Sequence, residues 1–312
     1  MAGTTEERSV DKATSGWING LIGVLIFSGS LPATRAAVAD FDPVFLTVAR
    51  AAIAGVVALA LLLILRAERP RRADLAPLVV VAGGVVVGFP LLTALALRQV
   101  TAAHSIVFVG LLPLATAAFG VLRGGERPRP AFWAFSGLGS ALVVGFALAQ
   151  GVSAAPVADA LMLAAIAACG LGYAEGGRLS RTLGGWQVIC WALVLSLPVM
   201  APLALVLKPP TFANVGVPAW IGLAYVSLFS MLIGFVFWYR GLAQGGIAAV
   251  GQIQLLQPFF GFALAASLLG EPVTRAMLVV ALGVVLCVAG ARRFARPPRA
   301  RWRLGGKPAG AS

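Results

Sequence analysis

Long apolar stretches recur along the whole chain, separated by short polar or charged connections. Each stretch is close to the about 20 residues with which an α-helix spans the hydrocarbon core of a bilayer. We therefore expect an all-α integral membrane protein that crosses the bilayer ten times. The predicted helices are 17–37, 44–65, 75–97, 104–122, 131–150, 157–177, 184–207, 217–239, 247–269 and 273–291.

Composition supports a location in the lipid bilayer. Hydrophobic residues make up 60% of the 312 residues, and charged residues make up 11%. Soluble domains have about 45–50% apolar and about 25% charged residues. A chain with so few charges has too little polar surface to stay in solution, so we expect the bilayer to be its solvent.

One stretch of sequence is repeated later in the chain. Segments 110–128 and 255–272 each contain a proline inside an apolar run and a Gly-Glu pair after it. Pro113 is followed by Glu126, and Pro258 by Glu271, at the same distance. The shift of 145 residues also pairs identical residues at 97/242, 99/244, 103/248 and 111/256. Helices 1–5 and 6–10 are therefore predicted to be two copies of one unit.

The number of helices in each copy predicts their relative orientation. Because five is odd, the second copy must enter the membrane from the opposite side. Inverted repeats of this kind allow a transporter to expose one central site alternately to either side. The predicted units are repeat 1 at 17–150 and repeat 2 at 157–291. An N-terminal tail at 1–16 and a basic C-terminal tail at 292–312 flank them.

The positions of Lys and Arg predict the orientation of the whole chain, because cytoplasmic loops carry the excess of these residues. With the N-terminus in the cytoplasm, 19 of the 24 basic residues fall in inside segments and tails, and 5 fall outside. We expect both termini to be cytoplasmic. The net charge of +13 follows from this asymmetry, and nucleic acid is not an expected partner.

Three kinds of segment resemble the drug/metabolite transporter superfamily, in its EamA-like branch. They are DFDPVFLTVARAAIAG at 40–55, AACGLGYAEGGRLSRTLGG at 167–185, and the two Pro-to-Gly-Glu segments. The resemblance covers about residues 17–291. It implies ten helices in two inverted five-helix repeats around a central cavity, in the inner membrane of a bacterium. It also implies transport of small metabolites, often amino-acid export, and leaves the cargo open.

Two features bear on the energy source. GGK at 305–307 is followed by proline, so the chain lacks the G-x-x-x-x-G-K-[ST] phosphate loop of an ATP motor. Proton-coupled carriers usually keep a carboxylate inside the membrane, whereas all eleven acidic residues are expected in tails, loops or near helix ends, with Asp159 and Glu175 closest to being buried. We expect movement down a gradient, with no cofactor.

Helix 9 contains the first candidates for substrate binding, Gln252, Gln254 and Gln257. Amides inside a membrane are costly unless they face a wet cavity or another helix. At 100° per residue, Gln254 and Gln257 lie about 60° apart on one face. Pro258 lacks the N–H that would bond the Gln254 carbonyl. We favour a cavity lining here, and contacts between helices are the alternative.

The other candidates for substrate contact have structural alternatives. His104, the single histidine, opens helix 4 and could contact a carboxylate or titrate near neutral pH, or act as a cap. Arg50 lies about 9 Å along helix 2. Outward snorkelling, or a pair with Asp40 or Asp42, is favoured for it over substrate contact. Tyr173 could line the cytoplasmic mouth or belong to an interfacial belt.

Further polar residues are assigned structural roles. Glu126 and Glu271 each stand just before a helix, where a carboxylate can cap free N–H groups. Trp238, Tyr239 and Arg240 are interpreted as an aromatic belt with a basic anchor. The isolated cysteines, which show neither metal-site spacing nor a disulfide framework, are assigned to packing: Cys169, Cys190 and Cys287.

The sequence as a whole predicts a secondary transporter for a small polar metabolite, such as an amino acid, with export favoured. Import of a vitamin or another metabolite on the same fold is the alternative. An intramembrane enzyme would need a nucleophile–base pair or clustered carboxylates, and a channel would more often carry a selectivity ring repeated across subunits. Neither pattern is present, so we expect no enzymatic activity. The expected partners are a small-molecule substrate and the lipid bilayer.

Overall fold

The structure, a computed structural model, describes residues 3–100, 105, 108–149, 155–261 and 275–295, and these residues form helices joined by short connections. Three segments depart from α-helical winding: π-helical turns at Ala82–Gly88 and Tyr225–Ile233, and a 3-10 helix at Gln252–Leu256. The α-helices are α1 (Gly3–Ser28), α2 (Ser30–Ala37), α3 (Pro43–Ile64), α4 (Arg72–Val81), α5 (Phe89–Gln99), α6 (Leu112–Gly124), α7 (Pro130–Ala149), α8 (Pro156–Leu179), α9 (Gly185–Val206), α10 (Val217–Ala224), α11 (Gly234–Gly245), α12 (Ile247–Gly251) and α13 (Arg275–Phe294).

Six helical segments of the described chain are long and apolar enough to cross a membrane. Large apolar side chains on their outer faces are widely exposed, for example Ile64 at 74% and Val206 at 77%. In water such a surface would drive association, and in a bilayer it meets lipid. The all-α prediction is confirmed. The six segments are Lys12–Ala37, Pro43–Ile64, Arg72–Gln99, Pro156–Leu179, Gly185–Val206 and Val217–Gly245.

The first helix differs from its predicted bounds. It begins at Gly3, whereas the apolar pattern placed its start near residue 17, and it is interrupted at Gly29 before α2 continues. A hydropathy pattern detects only the apolar part of a helix. The polar residues that precede the apolar stretch of α1 therefore could not be recognised as helical from this pattern. The predicted tail at 1–16 is therefore helical over most of its length.

Local chemistry explains two of the helix ends. The Asp42 carboxylate accepts the N–H groups of Val44 (2.8 Å) and Phe45 (3.2 Å) at the start of α3, as an N-cap residue does. At the end of α6, Gly125 has a φ of +66°, which glycine adopts without the steric cost that other residues meet. The chain turns there and brings the carboxylate of Glu126 to the backbone N–H groups of Ile247 and Ala248.

The helices pack so that α1 lies along α11, α3 against α9, and α7 against α13, while α8 contacts both α5 and α6. The bundle has two ends. The Asp42 end contains Asp42 with its ion-pair partner Arg98, and the contact of Asp40 with Gly216. The Glu126 end contains Glu126 with its ion-pair partner Arg181. These two names are used below.

Close contact between α8 and the first π-helical turn requires glycine. A Cβ atom on Gly84 would lie 2.5 Å from the Ala168 carbonyl oxygen and 3.0 Å from the Gly172 Cα. Both are backbone atoms, which cannot rotate away as the end of a flexible side chain can. Small residues of this kind let membrane helices approach closely. The neighbouring Gly83 is exposed, and nothing lies within 4 Å of the corresponding position.

Replacing Gly84 with Ala is therefore expected to destabilise the protein by about 1–3 kcal/mol, the usual cost of overpacking. The measurement is thermal unfolding of the purified protein in detergent. The matched control is Gly83→Ala, where alanine meets open space and gains up to about 1 kcal/mol of helix propensity. Equal melting temperatures for the two variants would show that the contact at Gly84 is looser than described.

Candidate functional site

An internal cavity lies between α2, α3, α5, α8 and the second π-helical turn. The space in it that the centre of a water-sized sphere can occupy is about 30 Å³, so the cavity is narrow. Its walls carry one charged side chain, that of Arg50, among the described residues. The polar lining comprises Ser30, Thr34, Arg50, Thr93, Tyr173, Ser230 and Gln257, and the apolar lining comprises Phe27, Leu31, Val85, Phe89, Pro90, Val109, Leu112 and Phe235.

Several lining positions are related by the 145-residue shift found in the sequence. They form the pairs Val85/Ser230, Pro90/Phe235 and Leu112/Gln257. A cavity lined by equivalent positions of two repeated segments lies where the segments meet. In two of the three pairs, the earlier residue is apolar and the later one is polar. The two halves therefore contribute different side chains at these equivalent positions of the cavity.

Arg50 is buried on α3, with 6% of its surface exposed, and points into the bundle. Its Nη2 donates to the carbonyl oxygen of Val226 at 2.9 Å and to the Ser230 hydroxyl at 3.4 Å. Its Nε has no hydrogen-bond partner among the described residues. The expectation that Arg50 snorkels outward is wrong, because the π-helical turn offers it a carbonyl group inside the bundle.

The carboxylates expected to pair with Arg50 are engaged elsewhere. Asp42 caps α3 and lies 3.7 Å from Arg98, an exposed pair. Asp40 accepts the backbone N–H of Gly216 at 2.8 Å. Both aspartates belong to the Asp42 end, whereas the Arg50 side chain is directed toward the cavity. The prediction of an Arg50 pair with either aspartate is therefore wrong.

The three glutamines of the predicted helix 247–269 have separate environments. Gln257 lines the cavity and donates from Nε2 to the carbonyl oxygen of Phe27 at 3.2 Å. Gln254 is fully buried, is not among the described lining residues, and neither of its amide atoms has a hydrogen-bond partner among the described residues. Gln252 is also fully buried, and its Nε2 lies 3.5 Å from the Ala248 carbonyl oxygen.

The winding of this segment corrects the expectation of a free carbonyl at Gln254. Residues 252–256 form a 3-10 helix, so the Gln254 carbonyl accepts the backbone N–H of Gln257. The i→i+3 bonds of that winding use the donor one residue earlier than Pro258, which has none. The geometry of about 60° between Gln254 and Gln257 assumed α-helical winding and does not apply.

Tyr173 lines the cavity and is 4% exposed. Its ring lies 5.3 Å from the Trp238 ring and 6.4 Å from the Phe27 ring, measured between centroids. Tyr173 is therefore part of the interior and not of an interfacial belt. His104 lies outside the described residues.

The expected aromatic belt at Trp238 and Tyr239 is wrong, because both side chains are fully buried. The Tyr239 hydroxyl donates to the Gly172 carbonyl oxygen at 3.1 Å. An aromatic pair followed by arginine has the composition of a belt, but the helix face decides its surroundings. Here that face packs against α1 and α8. The cysteines are buried and free, as their assignment to packing predicts.

Glu126 connects three parts of the Glu126 end. Its two carboxylate oxygens accept the backbone N–H groups of Ile247 and Ala248, each at 2.7 Å. Arg181 donates to the same carboxylate at 2.9 Å. The expected chemistry, a carboxylate on the free N–H groups of a helix start, is confirmed. Glu126 does not cap the helix that follows it in the sequence. It caps α12 instead, because the turn at Gly125 brings its carboxylate to the start of α12. Glu271 lies outside the described residues.

A second ion-pair cluster lies near the same end. Glu175 is completely buried, and its carboxylate contacts Arg123 at 3.0 Å and also Arg178. A buried carboxylate is retained only when it is paired and hydrogen-bonded. Together with the Glu126 contacts, this cluster ties α6, α8 and α12 to one another. Glu175 is therefore a structural component of the Glu126 end.

A bundle of membrane-length helices around a partly polar internal cavity, tied together at one end, defines a multi-pass membrane protein of the transporter class. The chain belongs to the EamA-like transporter family, which matches it at residues 14–148 and again at 156–292. This membership confirms the resemblance seen in the sequence.

Two similar proteins support the assignment. The chain is 69% identical over 287 residues to the uncharacterized transporter YdeK of Bacillus subtilis (strain 168), across 92% of this chain and all of that protein. A solved crystal structure, described only as that of a protein, matches with a TM-score of 0.72 and 21% identity. It covers 89% of this chain and 98% of its own. At that identity it supports the fold alone.

Removing the Glu126 carboxylate should loosen the start of α12. In Glu126→Ala, the N–H groups of Ile247 and Ala248 lose their acceptor, and we expect their amide hydrogens to exchange faster with deuterium. Loss of two charge-assisted hydrogen bonds, at about 1.5–3 kcal/mol each, predicts an acceleration of at least tenfold by mass spectrometry. The control is Glu68→Ala, an exposed acidic residue of the same end. Equal exchange in the two variants would contradict the capping role.

Proposed function

We propose that the protein is a secondary transporter that moves a small polar metabolite, such as an amino acid, across the cytoplasmic membrane by alternating access, in the direction of export. The observation that carries the proposal is the cavity at the meeting of the two repeated segments, with the buried Arg50 in its wall. Membership of the EamA-like transporter family supports transport as the activity. Neither observation names the cargo.

The packing supports ten helices in two inverted repeats. If the units are helices 1–5 and 6–10, α3 and α9 occupy equivalent positions, as do α7 and α13, and each pair is in contact. The contact of α1 with α11 has its counterpart in the contact of α8 with α5. The π-helical turns end at Gly88 and Ile233, which are again 145 residues apart. Such reciprocal contacts are expected around a two-fold axis in the membrane plane.

The two ends of the bundle support an orientation with the Glu126 end in the cytoplasm. That end carries most of the described basic residues, including the clusters at 66–72, 123–129 and 178–181. The Asp42 end carries few, such as Arg35 and Arg98. Cytoplasmic loops of membrane proteins show this excess. Opening the cavity toward the cytoplasm would then require separation of the ion pairs of Glu126 and Glu175.

Reporter fusions test this orientation. Fusions after Arg72, Arg129 and Arg181 should report a cytoplasmic position, and fusions after Ala155 and Lys208 should report the opposite side. The reason is that these positions are predicted to lie at alternate ends of successive membrane crossings. A cytoplasmic signal at Ala155 would contradict the inverted arrangement.

Transport itself is tested with purified protein in liposomes. We expect uptake or efflux of at least one labelled compound from a panel of amino acids and vitamins, driven by the gradient of that compound alone. The movement should persist when ionophores collapse the pH and voltage gradients, because no described carboxylate lines the cavity to carry protons. Movement against the gradient, driven by an imposed pH step, would contradict this coupling and direct attention to His104.

A matched pair of variants links any measured transport to the cavity. Gln257→Leu removes a lining amide, and we expect apparent affinity to weaken by about 1–3 kcal/mol if the cargo bonds to it. Gln254→Leu removes a buried amide that is not among the described lining residues. If Gln254→Leu has the larger effect at normal protein yield, the cargo binds near Gln254 and not in the described cavity.

A further inference from the structure

We propose that Arg50 is the residue that selects the cargo, and that the cargo carries a single carboxylate beside an apolar group. The proposal deepens the proposed transport function and rests on it. Its basis is a buried guanidinium in the wall of the cavity, with a donor group that the described protein leaves unused.

The described hydrogen bonds of Arg50 leave its Nε donor unused. Nη2 is occupied by the Val226 carbonyl and the Ser230 hydroxyl. Nε is buried and has no partner among the described residues. A guanidinium presents its five N–H donors in a rigid plane, and its preferred ligand is a carboxylate that accepts two parallel bonds. The free Nε donor matches one oxygen of such a ligand.

The charge of Arg50 has no acidic partner among the described residues. The described ion pairs bind Asp42, Glu126 and Glu175 to other arginines, at the two ends of the bundle. No acidic residue lines the cavity in the described part of the chain. An unpaired charge in a protein interior is strongly unfavourable, and a cargo carboxylate would neutralise it. One positive charge matches one negative charge, which favours a monocarboxylate over a dicarboxylate or a phosphate.

The lining around Arg50 indicates how the cargo lies. Ser230 contacts Arg50 directly, so the carboxylate is placed against these two side chains. The same cavity is also lined by apolar side chains, among them Val85, Phe89 and Leu112, which are available to the apolar part of the cargo.

The test measures ligand-induced thermal stabilisation of the purified full-length protein in lipid nanodiscs. The probes are acids paired with their primary amides, which keep the carbon skeleton and remove the charge: leucine, phenylalanine, 4-methylpentanoate and 3-phenylpropanoate. We expect the acid of at least one pair to bind at least about tenfold more tightly than its amide, the effect of one charge-assisted hydrogen-bonded contact. Equal binding within every pair, or no binding of any acid, overturns the proposal.

Variants at Arg50 assign the preference to this side chain. Arg50→Gln keeps a donor for the Val226 carbonyl and removes the charge, so the preference for the acid should disappear. Arg50→Lys keeps the charge but replaces the planar guanidinium, which can form two parallel hydrogen bonds, with an ammonium group. The preference for the acid should therefore be reduced by about tenfold. The control is Arg98→Gln, which removes an exposed arginine of the Asp42 end and should keep the full preference.

The result for each variant decides the proposal. If Arg50→Gln does not yield folded protein, Arg50→Lys alone carries the test. A full preference for the acid in either folded Arg50 variant overturns the role of Arg50. The two kinds of acid separate the sources of the carboxylate, because leucine and phenylalanine carry an ammonium group and the other two do not. Preference for one kind defines a zwitterionic or a purely anionic cargo.

Liposome transport of the bound acid then separates this proposal from the proposed function. Binding that depends on Arg50 without any transport would leave the carboxylate site intact and refute the transporter. Transport of a compound that lacks a carboxylate, unaffected in Arg50→Lys, would support the transporter and refute the selectivity of Arg50.

Discussion

The structure depends on the requirement that backbone N–H and C=O groups find partners where there is no water. Where the helices of this chain depart from regular winding or begin anew, side chains from other helices supply the partners. These contacts also fix which helices are neighbours. They include Arg50 with Val226, Gln257 with Phe27, Tyr225 with Ile26, and Glu126 with Ile247 and Ala248.

Irregular winding and the cavity coincide for this reason. A π-helical turn shifts the backbone bonds by one residue and is often found at functional sites. The Val226 carbonyl, in the second such turn, is held by the same Arg50 that faces the cavity. Under the proposed function, a cargo group that draws Arg50 toward itself would compete with that bond. Cargo binding would then be linked to the geometry of a membrane-length helix.

Several features could be predicted from the sequence, because they follow from the solvent and from short-range chemistry. Helical winding follows from the lipid, and the capping chemistry of Glu126 follows from its carboxylate. The contacts between helices could not be predicted from the sequence. Hydropathy separates buried from exposed residues in water, but lipid-facing and buried positions are both apolar in a membrane, so Trp238 and Tyr239 were placed on the wrong face. The partner of Arg50 lies 176 residues away along the chain, beyond the reach of local pattern.

The duplication accounts for the helical scaffold. The chemistry of the site comes from positions at which the two copies carry different residues. At the 145-residue shift, Arg50 corresponds to Leu195, a residue of α9 that is 38% exposed. Ser230 and Gln257 likewise correspond to the apolar Val85 and Leu112. Helix packing tolerates such differences, because it depends on glycine contacts and backbone pairing that both halves supply. Equivalent positions of a duplicated fold can therefore carry different side chains in the cavity, and the lining can change while the fold is kept.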